Sequence, residues 1–210
     1  MNHILAEIER LKGTEIGGLV DRRVSEFKLL GNRTSGEIFK ELCFCILTAN
    51  FTADRGMKIQ DAIGDGFLNL NENQLAVKLK ELGHRFPNMR AKFIAEAQNH
   101  KDTIKQQLSS FQGEKEAREW IVKNVKGLGY KESSHFLRNI GYDDLGIIDF
   151  HIIDILADNK LITKPKSKSL TKSKYLEVEE VLKKIANISN LTLSELDLYL
   201  WYLETGKILK

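Results

Sequence analysis

Lys126-Gly127-Leu128-Gly129-Tyr130 stands between two stretches of helical periodicity, one beginning at Glu114 and the other at Lys131. Two glycines alternating through five residues let the backbone turn tightly and come close to another surface, because neither carries a Cβ. Amides at the start of the second helix have no intrahelical acceptor and sit at the positive end of its dipole, so they suit a phosphate. The expected ligand is a nucleic-acid backbone. Gly-Leu-Gly by itself is equally compatible with an ordinary turn between packed helices, and the surrounding residues must decide.

Lys131 opens the second helix, where the dipole opposes an ammonium and favours the neutral amine that a nucleophile requires. Eighteen residues on, Asp149 follows the apolar run Leu145-Gly-Ile-Ile148 and precedes Phe150 to Leu156, which reads as the N-cap of another helix. Capping alone would explain the aspartate. A hairpin, a lysine and a downstream capping aspartate together form a more specific constellation.

That constellation resembles the helix-hairpin-helix DNA glycosylase superfamily. The segments Glu41-Leu-Cys-Phe-Cys-Ile-Leu-Thr-Ala-Asn50, Leu82-Gly-His-Arg-Phe86, Lys131-Glu-Ser-Ser-His-Phe-Leu-Arg-Asn139 and Leu196 to Lys210 extend the resemblance over nearly the whole chain. They are similar to the type 2, archaeal-style 8-oxoguanine DNA glycosylase/lyases. The resemblance implies a catalytic pair, Lys131 as Schiff-base nucleophile and Asp149 as its countercharge. It also implies phosphate binding at Gly127 and Gly129, with Asn50 on a turn that enters the duplex where the damaged base has left. Phe86 and Trp201 would pack about that base, and the terminal carboxylate of Lys210 would meet its N7–H, which guanine lacks. No cofactor is required on this reading. A monovalent cation on the backbone carbonyls of Lys123, Val125 and Leu128 would bridge hairpin and phosphate. The partner is double-stranded DNA containing oxidised guanine. Two rival readings stay open: a glycosylase for another damaged base, and a non-catalytic hairpin module that only binds DNA.

Composition sets the outer bounds. With 210 residues the chain can bury a substantial core, as one large domain or two small ones. Its 32 basic residues are nearly balanced by 29 acidic ones, for a net charge of +3, so any DNA-binding surface must come from local clustering. Cys43 and Cys45 lie about 200° apart on a helix and read as core residues rather than a metal pair. The C-terminal region has no cysteine, which excludes an iron-sulfur loop of four cysteines. No apolar run approaches membrane-spanning length and no signal-peptide pattern opens the chain, so the expectation is a soluble, intracellular monomer that does not engage membranes.

The chain shows helical periodicity throughout, no convincing alternation of period two and no internal repeat, so the fold reads as all-α. Residues 2–12 and 15–29 form two short helices. Thr34-Ser-Gly-Glu37 is a capping-box pattern before a strongly buried helix that ends near Asn50, a position that is either a helix cap or part of the duplex-entering turn. Asn71-Glu-Asn-Gln74 opens a helix ended by Gly83, and Pro87 places Phe86 on a bend, as a core residue or a stacking face. Residues 88–110 carry helical patterning. Trp201 lies at the edge of the apolar stripe of the last helix, in the core or facing a cleft. His135, one turn from Lys131, has no assigned catalytic role. The five lysines of residues 163–174 read as a solvated loop more readily than as phosphate contacts. The resemblance implies two helical domains flanking an active-site cleft: residues 35–140 with the hairpin, and residues 141–210 joined by the N-terminal helices, 1–34.

Overall fold

The computed structural model describes residues 2–167 and 170–210. Among these the fold is all-α, without strands. The helices are α1 (Asn2–Lys12), α2 (Glu15–Gly31), α3 (Ser35–Thr48), α4 (Ala53–Ile63), α5 (Gly66–Asn69), α6 (Glu72–Glu81), α7 (Pro87–Ala97), α8 (Ile104–Ser109), α9 (Glu114–Asn124), α10 (Tyr130–Asn139), α11 (Phe150–Asp158), α12 (Lys172–Ile188) and α13 (Leu193–Thr205). The chain forms two compact units, Leu29–Ile140 and Met1–Lys28 with Gly141–Lys210.

The unit Leu29–Ile140 is built around α3. Thr34 caps it by accepting from the Glu37 amide at 3.3 Å while the Glu37 carboxylate accepts from the Thr34 amide at 3.2 Å. Such a cap contributes about 1 kcal/mol. Every residue from Glu41 to Thr48 is buried, so α3 is enclosed on all sides instead of presenting one apolar stripe. Helices α4, α5, α7, α8 and α10 pack on it, and α6 packs on α7. A buried charge needs partners at that depth, and the Glu41 carboxylate accepts from Asn139 Nδ2 at 2.6 Å and Gln60 Nε2 at 3.1 Å.

Helical patterning over residues 88–110 is realised as two helices separated by a 3-10 turn at Gln98–His100. Tertiary hydrogen bonds account for the break. Gln98 Nε2 donates to the carbonyls of Phe67 and Leu70 at 2.9 Å each, and Lys101 Nζ donates to that of Leu68 at 2.7 Å. These bonds satisfy the carbonyls about α5 and hold the chain away from a continuous helix.

In the second unit α13 is the common packing partner of α1, α11 and α12. Ile4, Ile8, Val20, Ile152, Leu182, Leu196 and Leu200 are among its buried apolar residues. The capping box at the start of α13 forms as the sequence implies, with Thr192 Oγ1 accepting from the Glu195 amide at 3.1 Å and Glu195 Oε2 accepting from the Thr192 amide at 2.7 Å. Gly206 stops the helix in the left-handed region, φ +70°, and its amide donates to the Tyr202 carbonyl at 2.8 Å.

Candidate active site and nucleic-acid interface

The hairpin consists of α9, the turn at residues 125–129 and α10. Its two helices are joined by polar contacts: Arg118 Nη1 donates to Ser134 Oγ at 3.1 Å, its guanidinium lies 5.2 Å from the Tyr130 ring, and Tyr130 Oη donates to Glu119 Oε1 at 2.5 Å. Burial of Arg118 makes these contacts costly to break.

The two glycines do different work. Gly127 adopts φ +87°, and a Cβ there would overlap the Phe93 ring, so both backbone conformation and packing demand glycine. Gly129 has φ −90° and is exposed, and a Cβ would meet nothing closer than Glu132 Oε2 at 3.5 Å. The fold would accept a side chain there. Its amide is not vacant, since it donates to Glu132 Oε2 at 3.3 Å. A phosphate at this end of α10 therefore competes with, or is joined by, a carboxylate of the chain itself.

Helix α10 begins at Tyr130, one residue before the position expected, so Lys131 is its second residue. It is half-buried and makes no side-chain hydrogen bond or ion pair among the described residues. By contrast, the neighbouring Lys126 is held by Glu96 at 2.9 Å. His135 is buried with its ring edge-on to Phe44 at 5.8 Å, which places it in the core of this unit.

Two further elements of the same unit carry expected site residues. Asn50 occupies the turn after α3 in the left-handed region, φ 60°, and is exposed. Asparagine is among the few residues that tolerate this conformation. Arg90 of α7 holds the turn by donating from Nη2 to the Ala49 carbonyl, and it also lies over the Phe93 ring that meets Gly127. Phe86 stands at the N-cap of α7 with φ −129° and ψ 59°, half-buried, and the Arg85 guanidinium lies 4.9 Å from its ring centroid.

Asp149, Trp201 and Lys210 belong to the other unit. Asp149 caps α11, accepting from the Ile152 amide at 3.0 Å through Oδ1, and among the described residues its Oδ2 accepts no hydrogen bond. Tyr175 and Glu179 of α12 hold the segment before it. Glu179 Oε1 accepts from the Gly146 amide at 2.9 Å, and Tyr175 Oη donates to the Gly146 carbonyl at 2.6 Å while accepting from the Ile148 amide at 3.3 Å. Trp201 on α13 meets the His151 ring edge-on at 5.4 Å, and His151 Nδ1 lies 3.2 Å from Glu204 Oε1. The indole Nε1 of Trp201 is buried without a hydrogen-bond partner among the described residues. Beyond Gly206 the tail is half-buried at residues 208–210. Of the lysine-rich segment 163–174, Lys168 and Ser169 lie outside the described residues, while Lys164 pairs with Asp154 at 2.6 Å and Lys174 with Glu177 at 2.7 Å.

The carbonyls expected to hold a monovalent cation, those of Lys123, Val125 and Leu128, come from the end of α9 and the turn that follows it. Lys123 lies in the last turn of α9, whose closing carbonyls have no intrahelical donor and sit at the negative end of the dipole. The Val125 carbonyl accepts from the Leu128 amide at 3.4 Å, a long bond that leaves it acceptor capacity. Sequence reading assigns no role to the supports: His84 lies within the segment Leu82–Phe86 but is given none, and His151, Tyr175 and Glu179 are not singled out. Proximity of His84 to Phe86, and of His151 to Asp149, was the available signal.

Comparison with known proteins finds relatives over the whole length of the chain. The family model described as 8-oxoguanine DNA glycosylase matches residues 20–191. The 8-oxoguanine DNA glycosylase/AP lyase of Methanocaldococcus jannaschii is 55% identical over 207 residues, 99% of both chains. That of Korarchaeum cryptofilum is 49% identical over 210 residues, 100% of this chain and 99% of the other. A crystal structure of the M. jannaschii 8-oxoguanine glycosylase/lyase in complex with 15mer DNA containing 8-oxoguanine superposes with a TM-score of 0.96 at 54% identity, covering 99% of this chain and 100% of that one. The 8-oxoguanine DNA glycosylase of Thermotoga maritima gives 0.92 at 43% identity, covering 100% and 99%.

Proposed function

We propose, for a chain that belongs to the 8-oxoguanine DNA glycosylase family, that Lys131 and Asp149 carry out base excision and strand cleavage on 8-oxoguanine-containing DNA. The activities are those of a DNA glycosylase and AP lyase. The nucleophile belongs to the chain, so the chemistry needs no cofactor.

The damaged nucleotide leaves the base stack at a cost of a few kcal/mol. The lone pair of Lys131 Nζ attacks C1′ as the C1′–N9 bond breaks; the base departs with that bond's electron pair and takes up the proton that the attacking nitrogen loses. The nitrogen lone pair then forms the C1′=N bond as O4′ leaves with the C1′–O4′ electron pair and takes up a proton, which gives a protonated Schiff base. Loss of a C2′ proton then expels the 3′ phosphate by β-elimination, and hydrolysis of the imine returns the lysine. As positive charge develops on the sugar, Asp149 offers a carboxylate oxygen already fixed by helix capping, so little reorganisation is required. The amides of Gly127 and Gly129 hold a phosphate, and a monovalent cation on the carbonyls of Lys123, Val125 and Leu128 would supply charge neutralisation there. Asn50 stands in for the extruded nucleotide within the duplex. Phe86 and Trp201 stack about the base, and the Lys210 carboxylate accepts from its N7–H. The protein acts as a monomer on this reading.

The observation that carries the assignment is Lys131 itself: a half-buried lysine without an ion-pair partner among the described residues, at the positive end of α10 directly after the hairpin glycines. Borohydride trapping on duplexes with different lesions tests it. An adduct on 8-oxoguanine DNA that disappears in Lys131→Gln is expected. An adduct confined to an oxidised pyrimidine would change the substrate, and no adduct on any lesion would leave a DNA-binding module.

A further inference from the structure

The His84 ring joins two of the proposed DNA-facing pieces. It is only 4% exposed, and both ring nitrogens are used. Nδ1 accepts from the Phe86 amide at 3.0 Å, which requires that it carry no proton; Nε2 therefore carries it and donates to the Leu47 carbonyl at 3.0 Å. One ring face lies 4.3 Å from Phe51, the residue after Asn50. A neutral imidazole of one tautomer thus ties the end of α3 to the backbone of Phe86, at a bend opened by Gly83 in the left-handed region, φ +74°.

We propose that His84 is a positioning residue for base excision: anchored on Leu47, it fixes the Phe86 backbone through Nδ1 and so aims the Phe86 ring at the extruded base. This rests on the reading of Phe86 as a base-stacking residue. Phe86 is at an N-cap whose φ and ψ belong to neither helix nor strand, and the bond from its amide to His84 Nδ1 restrains the backbone at that bend.

Protonation would break the restraint, since an imidazolium has two donors and no acceptor. The charged groups facing this corner are cations: Arg90 from α7, Arg55 from α4 over the Phe51 ring, and Arg85 over the Phe86 ring. Burial, with a smaller contribution from Arg90, holds the His84 pKa below the ordinary histidine value. The folded pKa being depressed, the restraint is intact at neutral pH and is lost as pH falls through that lowered value.

The test compares excision of 8-oxoguanine with lyase action on a preformed abasic site, which has no base for Phe86 to stack on, from about pH 5 to pH 8. In the wild type the excision-to-lyase ratio falls on the acid side. Gln at position 84 keeps a donor near Leu47 but loses the acceptor at Nδ1, whereas Asn keeps that acceptor and does not titrate. His84→Gln should lower single-turnover excision about tenfold while changing lyase action less than about twofold. His84→Asn should retain more excision than His84→Gln and a ratio independent of pH. Equal loss of both activities, identical behaviour of the two variants, or a flat wild-type ratio would overturn the assignment. Phe86→Ala separates the layers: full excision in that variant removes the stacking reading and the His84 role with it, whereas lost excision there beside normal excision in His84→Gln removes the His84 role alone. The wild-type pH profile stands even where a variant folds poorly.

Discussion

Asp149 has a plain structural role as a helix cap, and on the proposed mechanism it carries chemistry as well. One carboxylate oxygen closes the first turn of α11 through the Ile152 amide, and that bond holds the group still. Electrostatic stabilisation needs a charge that does not have to reorganise as the sugar turns cationic, and a cap provides it. Asparagine caps as well as aspartate but carries no charge. Asp149→Asn should therefore fold with stability within about 0.5 kcal/mol of the wild type and slow single-turnover excision about 10²–10³-fold, with DNA affinity little changed. Thermal melting and single-turnover kinetics measure the two halves; unchanged turnover would reduce the residue to its capping role.

On the proposed reading, the hairpin separates folding from binding at two glycines only two residues apart. Gly127 sits at positive φ against the Phe93 ring, so Gly127→Ala should cost about 1–3 kcal/mol of stability and lower the melting temperature. Gly129 is exposed at φ −90°, so Gly129→Ala should leave melting unchanged and weaken binding to damaged and undamaged duplexes alike, because phosphate contacts carry no sequence information. A defect restricted to lesion-containing DNA, or equal melting of both variants, would contradict that division. Hairpin and caps were legible in the sequence because they are local: Thr34 with Glu37, Asn71 with Gln74, Thr192 with Glu195 and Gly127 with Gly129 all act within four residues. The break after α7 was not, since it depends on carbonyls about 30 residues away at Phe67, Leu68 and Leu70. His84 escaped for the same reason, its anchor being a backbone carbonyl 37 residues earlier. Periodicity has no means of recording a side chain bonded to a distant main chain.

Across the molecule, several lysines are paired within the chain. Lys40 pairs with Asp65, Lys126 with Glu96, Lys164 with Asp154 and Lys183 with Asp144, which is why a net charge of +3 says little about where DNA lies. Lys131 differs in having no such partner among the described residues, and the account turns on it. The expected catalytic residues are divided between the two compact units, Lys131 in Leu29–Ile140 and Asp149 in Gly141–Lys210, as are Phe86 and Trp201, the residues proposed to stack on the base. On the proposed mechanism, helices Glu114–Asn124 and Tyr130–Asn139 would supply nucleophile and phosphate contacts, and Asp149, the N-cap of Phe150–Asp158, the countercharge. The most direct measurement is peptide mapping, by mass spectrometry, of the borohydride-reduced adduct formed on an 8-oxoguanine duplex. The account predicts the deoxyribose remnant on Nζ of Lys131; the same mass on another lysine or on the N-terminal amine would contradict it.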